Sequence, residues 1–184
     1  MGSKTTKSAG KWSKSKTDTI NLVEYDSNWP TLFEEERSLL TSVIPSKIDC
    51  SIKHFGSTSV VGLVAKPIID ILITLDNTEL WPELISPIES LEYLYWKDNP
   101  EKNHMFFVKG MPPFGQGRTH HVHVLRSQDA KERLAFCEAL NRRPDLLAEY
   151  AILKTSLASK HEFDRDKYTE AKSSFINNAL KETT

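Results

Sequence analysis

The stretch KHFGSTSVVGLVAKPIIDILITL, Lys53 to Leu75, gathers the residues of this chain whose types and spacing could do chemistry together. It opens on a small-residue turn, Gly56-Ser57-Thr58-Ser59, and ends in an apolar run carrying a single acid, Asp70. Glycine lets backbone N–H groups approach a phosphate closely, and the Ser and Thr hydroxyls add donors around it. A strand aspartate beyond such a turn can hold a divalent cation that bridges phosphate oxygens and offsets their charge. Asp70 is flanked by Ile68, Ile69, Ile71 and Leu72, so its carboxylate needs a metal, a cation or several hydrogen-bond donors. Lys66, four residues earlier, is one candidate partner. The same residues also describe a plain glycine turn between two buried strands, with an acid paired to a lysine at a strand end.

A second constellation is RTHHVHV, residues 118–124. Strand periodicity puts His121 and His123 on one face and His120, Val122 and Val124 on the other. The valines belong in the core, which leaves the two histidines facing a cleft. Two imidazoles two residues apart are a workable transition-metal pair, and Asp70 would complete a set of two histidines and one carboxylate. Alternatively the pair binds phosphate as cations, helped by Arg118 and Lys66. The plain alternative is a set of sheet-edge histidines that only hydrogen-bond. GQGRTHHVH also resembles the start of a cupin metal motif, and HVHVL two thirds of a histidine-triad motif. The first lacks the glutamate expected soon after, and the second has Leu125 in place of a histidine. His54 and His104, each at the end of a strand, are weaker candidates. Arg165, Tyr168 and Lys172 share a helical spacing that could present a cationic face to the same cleft, or to solvent.

These groups need elements to position them. The pattern predicts a helix that Ser27 or Asn28 can cap and Pro45 ends, with Pro30 in its first turn. Strands are expected over 48–55, 67–75, 91–97, 104–110 and 118–125, with 56–67 a loop and GMPPFGQG a turn-rich connection. Residues 78–91 carry a helical stripe that Pro82 and Pro87 should shorten or break. From Ser127 the pattern is helical to the end, with helices from Ser127 or Asp129 through Asn141, from Pro144, and from about Asp164 to Leu180. Five strands with helices before and after them imply a mixed-sheet α/β or α+β domain closed by a C-terminal helical cluster.

Bulk properties narrow the partners. The chain has 184 residues, 39% hydrophobic and 27% charged, which suits one domain with a real core. A net charge of −1 gives no nucleic-acid signal. Five of the 24 basic residues, Lys4 to Lys16, precede the first acid, so the other nineteen face 25 acidic ones. Residues 1–18 read as a disordered basic tail and 19–184 as the domain. MGSKTT fits the N-myristoylation pattern through Gly2 and Thr6, and an acyl chain with these lysines would allow peripheral membrane contact; MGS also matches a cloning remnant. Cys50 and Cys137 have no disulfide or metal spacing and read as small core residues in a reducing, cytoplasmic setting.

HFGSTSVVGLVAKPIIDI, residues 54–71, resembles the signature of the GrpB family, H-x-G-S-T-x-V-P-G-L-x-x-K-P-x-I-D. The resemblance continues through RTHHVHV and into the closing helices RRPDLLAEYAILKTSLA and DRDKYTEAKSSFI, covering about residues 19 to 180. GrpB proteins are similar to the nucleotidyltransferase superfamily. The resemblance therefore implies a nucleotidyltransferase-like mixed sheet, a nucleotide or other phosphate ligand, and metal-assisted nucleotidyl transfer with Mg²⁺ or Mn²⁺. It places the phosphate turn at Gly56 and Ser57 and the first metal-binding acid at Asp70. The second acid is expected at the next same-face position, which is Leu72, and the third on a later strand, near His121 and His123. Val61 stands where the family usually has proline. With Leu72 in place of an acid, either other residues supply the missing ligands or the fold binds a ligand without transferring nucleotides.

Overall fold

The computed structural model describes residues 19–182. The basic tail and its acylation pattern at Gly2 lie outside the described residues. Helix α1 spans Trp29–Val43, with Pro30 supplying a pre-set φ in its first turn. The Asn28 side chain makes no capping bond. Its backbone N–H instead donates to Asp26 Oδ1 at 2.8 Å. The strands are β1 (Ser51–Phe55), β2 (Ile69–Thr74), β3 (Tyr93–Tyr95), β4 (Met105–Lys109) and β5 (His120–Leu125). All five expected strands form, each shorter than its apolar pattern. Between β2 and β3 the stripe with two prolines becomes a 3-10 helix, Thr78–Leu84, and then α2, Ile85–Glu89.

The sheet runs in the order β1-β2-β5-β4-β3. Only the central pair, β2 with β5, is parallel; every other neighbour is antiparallel. Ile69, Ile71 and Ile73 of β2 share a face with Val122 and Val124 of β5 and Phe107 of β4. That face packs on Trp29, Phe33 and Leu40 of α1 and on Leu84 and Ile88. His120 lies on this side with the valines, as the period-2 pattern requires. It sits 4.0 Å from Glu36 of α1, which Lys109 holds at 2.9 Å.

The opposite face is covered at one end and open at the other. Helix α3, Ser127–Arg142, lays Ala130, Leu134 and Cys137 over Phe55, Leu72 and Leu125. Asp76, just past β2, pins the start of this helix: its carboxylate accepts from the Ser127 backbone N–H at 2.7 Å and from the hydroxyl at 2.9 Å. Helix α4 spans Pro144–Lys160. The single closing helix expected from Asp164 to Leu180 is instead two, α5 (Arg165–Glu170) and α6 (Ser173–Glu182). They serve different cores. Tyr168 packs with Ile20 and Leu157, whereas Ala179, Phe175 and Ile176 pack with Phe136 and Tyr150. A straight helix could not turn both sets inward. No described helix is long and apolar enough to cross a membrane.

Candidate functional site

The β1–β2 connection presses directly on Asp70. Gly56 has φ 73° and ψ −168°, a conformation open almost only to glycine. A Cβ at Gly56 would lie 2.7 Å from Asp70 Oδ2, so only glycine fits. The Gly56 N–H donates to Cys137 Sγ of α3 at 3.2 Å, tying the turn to the covering helix. Residues Ser57–Ser59 form one 3-10 turn. Further along the loop, Val60 and Leu63 are buried among Phe136, Leu140 and Tyr150, while Val61 between them is exposed. Val61 uses the N–H that proline would lack, donating to Asn141 Oδ1 at 3.4 Å.

Beside β2, β5 brings Asp70 opposite His121 and Leu72 opposite His123. Asp70 Oδ1 is 2.9 Å from His121 Nδ1 and 3.7 Å from His123 Nε2. One donor atom from each of the three lies within 4.8 Å of the others, a spacing that one metal ion can span. Burial is the largest influence on Asp70 and pushes its carboxyl up. The hydrogen bonds and charges of His121 and His123 together outweigh it and hold the group well below the usual carboxylate range. Burial also lowers both histidines, against the opposing pull of the Asp70 carboxylate.

The histidines continue outward as a chain. His123 Nδ1 is 2.9 Å from His104 Nε2, and His104 Nδ1 is 3.1 Å from Glu101 Oε2, which Arg133 approaches at 3.5 Å. A carboxylate only accepts, so His104 Nδ1 carries the proton. Burial holds His104 down at about 4, so it is neutral and its Nε2 is a lone pair. His123 Nδ1 must then donate to it. His123 Nε2 faces the Asp70 carboxylate at 3.7 Å. His121 Nε2 is buried without any hydrogen-bond partner. Both observations fit a metal at Asp70, His121 and His123.

These groups line a cavity of about 700 Å³. Gly56, Ser57, Thr58, Lys66 and Arg118 reach its wall from the predicted set. The Ser57 hydroxyl has no bond among the described residues. Lys154 of α4, Arg165 and Lys172 add further cations, and Trp96, Phe106 and Phe136 supply aromatic faces. Burial lowers Lys66 to about 7, Lys154 to about 7 and Lys172 to about 8, with neighbouring cations reinforcing it at Lys66 and Lys154.

Other expectations from the sequence meet a different geometry. Thr58 reaches the cavity wall but its side chain is largely buried, with the hydroxyl 3.4 Å from the Ile68 carbonyl and 3.0 Å from His54 Nε2. Ser59 bends back on the Gly56 carbonyl at 2.7 Å, off the cavity wall. Lys66 makes no ion pair with Asp70; it stands over the Tyr168 ring at 5.4 Å. Leu72 shares the face of Asp70 yet is fully buried beneath α3, so the position of the second acid is core and not cavity. His54 points to the other face, stacked on Phe33 with ring centroids 4.8 Å apart. His104, weighed as a minor candidate, belongs to the centre of the site. Glu101, Arg133, Cys137 and Lys154 had no motif to mark them. Pairing 104–110 back on 118–125 across the GMPPFGQG loop brings Phe106 opposite His123 and would have found His104.

The family model for GrpB protein matches residues 19–182. A UPF0157 protein of Pseudomonas aeruginosa is 41% identical over 166 residues, 90% of this chain and 68% of that protein. The chain spans 46% of a UPF0157 protein of Bacillus subtilis, at 33% identity. The glutamate-rich protein GrpB of Alkalihalophilus pseudofirmus is 32% identical over 89% of this chain and 95% of its own length. The crystal structure of conserved protein GrpB from Enterococcus faecalis superposes with a TM-score of 0.77 at 34% identity, covering 88% of this chain and 96% of that one.

Proposed function

The chain belongs to the GrpB family, and from that premise we propose that it binds a nucleotide beside a divalent cation held by Asp70, His121 and His123 and transfers a nucleotidyl group to an acceptor. One observation carries this reading: a carboxylate and two imidazoles converge within 4.8 Å on the wall of a cavity lined with cations. A bound cation would offset charge on the phosphate oxygens. The donor set, with two nitrogens to one oxygen, suits Mn²⁺ or Zn²⁺ better than Mg²⁺. Ser57 offers an unused hydroxyl to a phosphate oxygen, and Lys66 and Arg118 supply positive charge. Trp96 and Phe106 offer apolar surfaces against which a base can stack. In the transfer, the oxygen of an acceptor hydroxyl bonds to the α-phosphorus of a nucleoside triphosphate as the bond from that phosphorus to pyrophosphate breaks, and the hydroxyl proton passes to solvent.

A second reading is favoured by Leu72. With that position buried under α3, Asp70 is the lone acid of β2 on this face, and a two-cation cage lacks its second bridge. The chain would then be a ligand-binding sensor or interaction module that does not turn over. One experiment separates the outcomes. Purified protein is titrated with a nucleotide panel, with and without Mn²⁺, Zn²⁺ and Mg²⁺, following thermal stability and pyrophosphate release. Cation-dependent stabilisation that disappears in Asp70→Asn supports the site, and pyrophosphate release supports transfer. Stabilisation without release supports the second reading. Nucleotide binding untouched by Asp70→Asn removes the cation site from both.

A further inference from the structure

Three lysines reach the cavity from three separate segments. Lys66 precedes β2, Lys154 sits in the middle of α4, and Lys172 occupies the break between α5 and α6. Lys154 is only 2% exposed, and the other two are half-buried. Their ammonium groups gather on two tyrosine rings. Lys66 and Lys172 lie 5.4 Å and 4.3 Å from the centroid of Tyr168, and Lys154 lies 5.5 Å from that of Tyr150. Among the described residues none of the three makes an ion pair. Lys154 donates to the Val64 carbonyl, a neutral acceptor. Asp70 on the same wall attracts all three ammonium groups without pairing with any of them, one carboxylate against three cations, and Asp166 and Glu170 are exposed at the rim. The Tyr168 hydroxyl is buried with no hydrogen-bond partner.

Crowding like charges in a half-dry cavity opposes folding, and a protein gains nothing from it without a ligand. Aromatic rings soften the cost but do not neutralise it. The helix break at 171–172 brings Lys172 onto the Tyr168 ring.

We propose that Lys66, Lys154 and Lys172, with the Tyr168 hydroxyl, form a subsite for an oligophosphate chain such as the one carried by a nucleoside triphosphate or by free tripolyphosphate. The proposal rests on the phosphate reading of the site and adds the ligand's charge: three ammonium groups call for several anionic oxygens spread along a chain. It does not require the cation at Asp70. The ammonium groups, lowered toward neutrality by burial and, at Lys66 and Lys154, by neighbouring cations, regain protons when the anion arrives.

The test is done in excess chelator, so failure of the cation site and failure of this subsite are separate results. Tripolyphosphate, ATP, inorganic phosphate and citrate are each titrated at pH 8 by calorimetry in two buffers of different ionisation enthalpy, alongside thermal unfolding. The expected result is a rise in melting temperature of about 5–10 °C at one hundred times Kd for tripolyphosphate. ATP should act similarly, phosphate and citrate much more weakly, and binding should take up protons. Lys172→Gln should weaken tripolyphosphate about tenfold to a hundredfold while raising the melting temperature of the free protein. Lys66→Gln repeats the test, and serves if loss of the Val64 contact makes Lys154→Gln misfold. Citrate binding as tightly as tripolyphosphate would overturn the phosphate assignment. Tripolyphosphate binding that takes up no protons, or that survives Lys172→Gln and Lys66→Gln unchanged, would overturn the subsite.

Discussion

Replacing Gly56 by alanine tests how the turn and the carboxylate are built together. The backbone at Gly56, φ 73° and ψ −168°, costs an alanine about 1–3 kcal/mol. The new methyl would also stand 2.7 Å from Asp70 Oδ2 and 3.1 Å from its Cβ. Backbone cannot yield there, because Gly56 is tied to Cys137 and its carbonyl to Ser59. Asp70 must therefore swing away and lose its bond to His121, a charged hydrogen bond worth about 1.5–3 kcal/mol. Together the two effects come to roughly 2.5–6 kcal/mol. In a chain of this size that lowers the melting temperature by roughly 5–25 °C. The assay is urea and thermal unfolding of Gly56→Ala, Asp70→Ala and the double variant. If the methyl and the carboxylate collide, the double variant loses less than the sum of the singles by about 0.5–3 kcal/mol. Strict additivity, or a Gly56→Ala protein as stable as the parent, would refute the contact.

Further outcomes follow from the same geometry. Glu101→Gln and His104→Phe should weaken cation binding about 10- to 100-fold while leaving far-ultraviolet dichroism unchanged, because they release the tautomer of His123; calorimetry with Mn²⁺ checks this. Leu72→Ala should cost about 2–5 kcal/mol through the cavity it leaves under α3. Leu72→Asp should cost more and add no cation affinity, since position 72 does not reach the cavity; a gain in affinity would contradict that placement. Stability should also rise with pH in two windows. Burial holds His54 at about 4 against 6.5 when unfolded, so the unfolded chain binds more protons between those values and stability falls as pH drops from about 6.5 to about 4. Lys66 sits at about 7 against 10.5 unfolded, which makes stability climb from about pH 7 to about pH 10.5. Urea midpoints at pH 5, 7 and 9 measure both, and Lys66→Gln should reduce the slope of the upper window, with Lys154 and Lys172 supplying the remainder.

Much of the site could be read from local pattern, because strand periodicity is a strict geometric rule. The alternation in RTHHVHV places His121 and His123 on the face away from Val122 and Val124, and the apolar run around Asp70 marks a strand whose acid needs partners. What escaped depends on contacts between distant segments. His104 meets His123 only through the antiparallel register of β4 and β5. Lys66 and Asp70 are close in sequence, but the chain bends at Pro67, where the Ile68 N–H donates to the Lys66 carbonyl, and the lysine stands over Tyr168. The break at 171–172 has no glycine or proline to announce it; it follows from two separate cores that must both be filled. Lys154 did leave a trace. It sits between Tyr150 and Leu157 in the buried stripe of α4, where a lysine is out of place unless its charge has a use.

The measurement that bears most directly on the site is electron spin-echo spectroscopy of Mn²⁺ bound to the protein. Couplings from two imidazole nitrogens are expected in the parent chain. One coupling should remain in His123→Gln, and Mn²⁺ binding should be lost in Asp70→Asn. A spectrum showing only oxygen ligands, or one indifferent to His121 and His123, would contradict a cation held by this carboxylate and these two histidines.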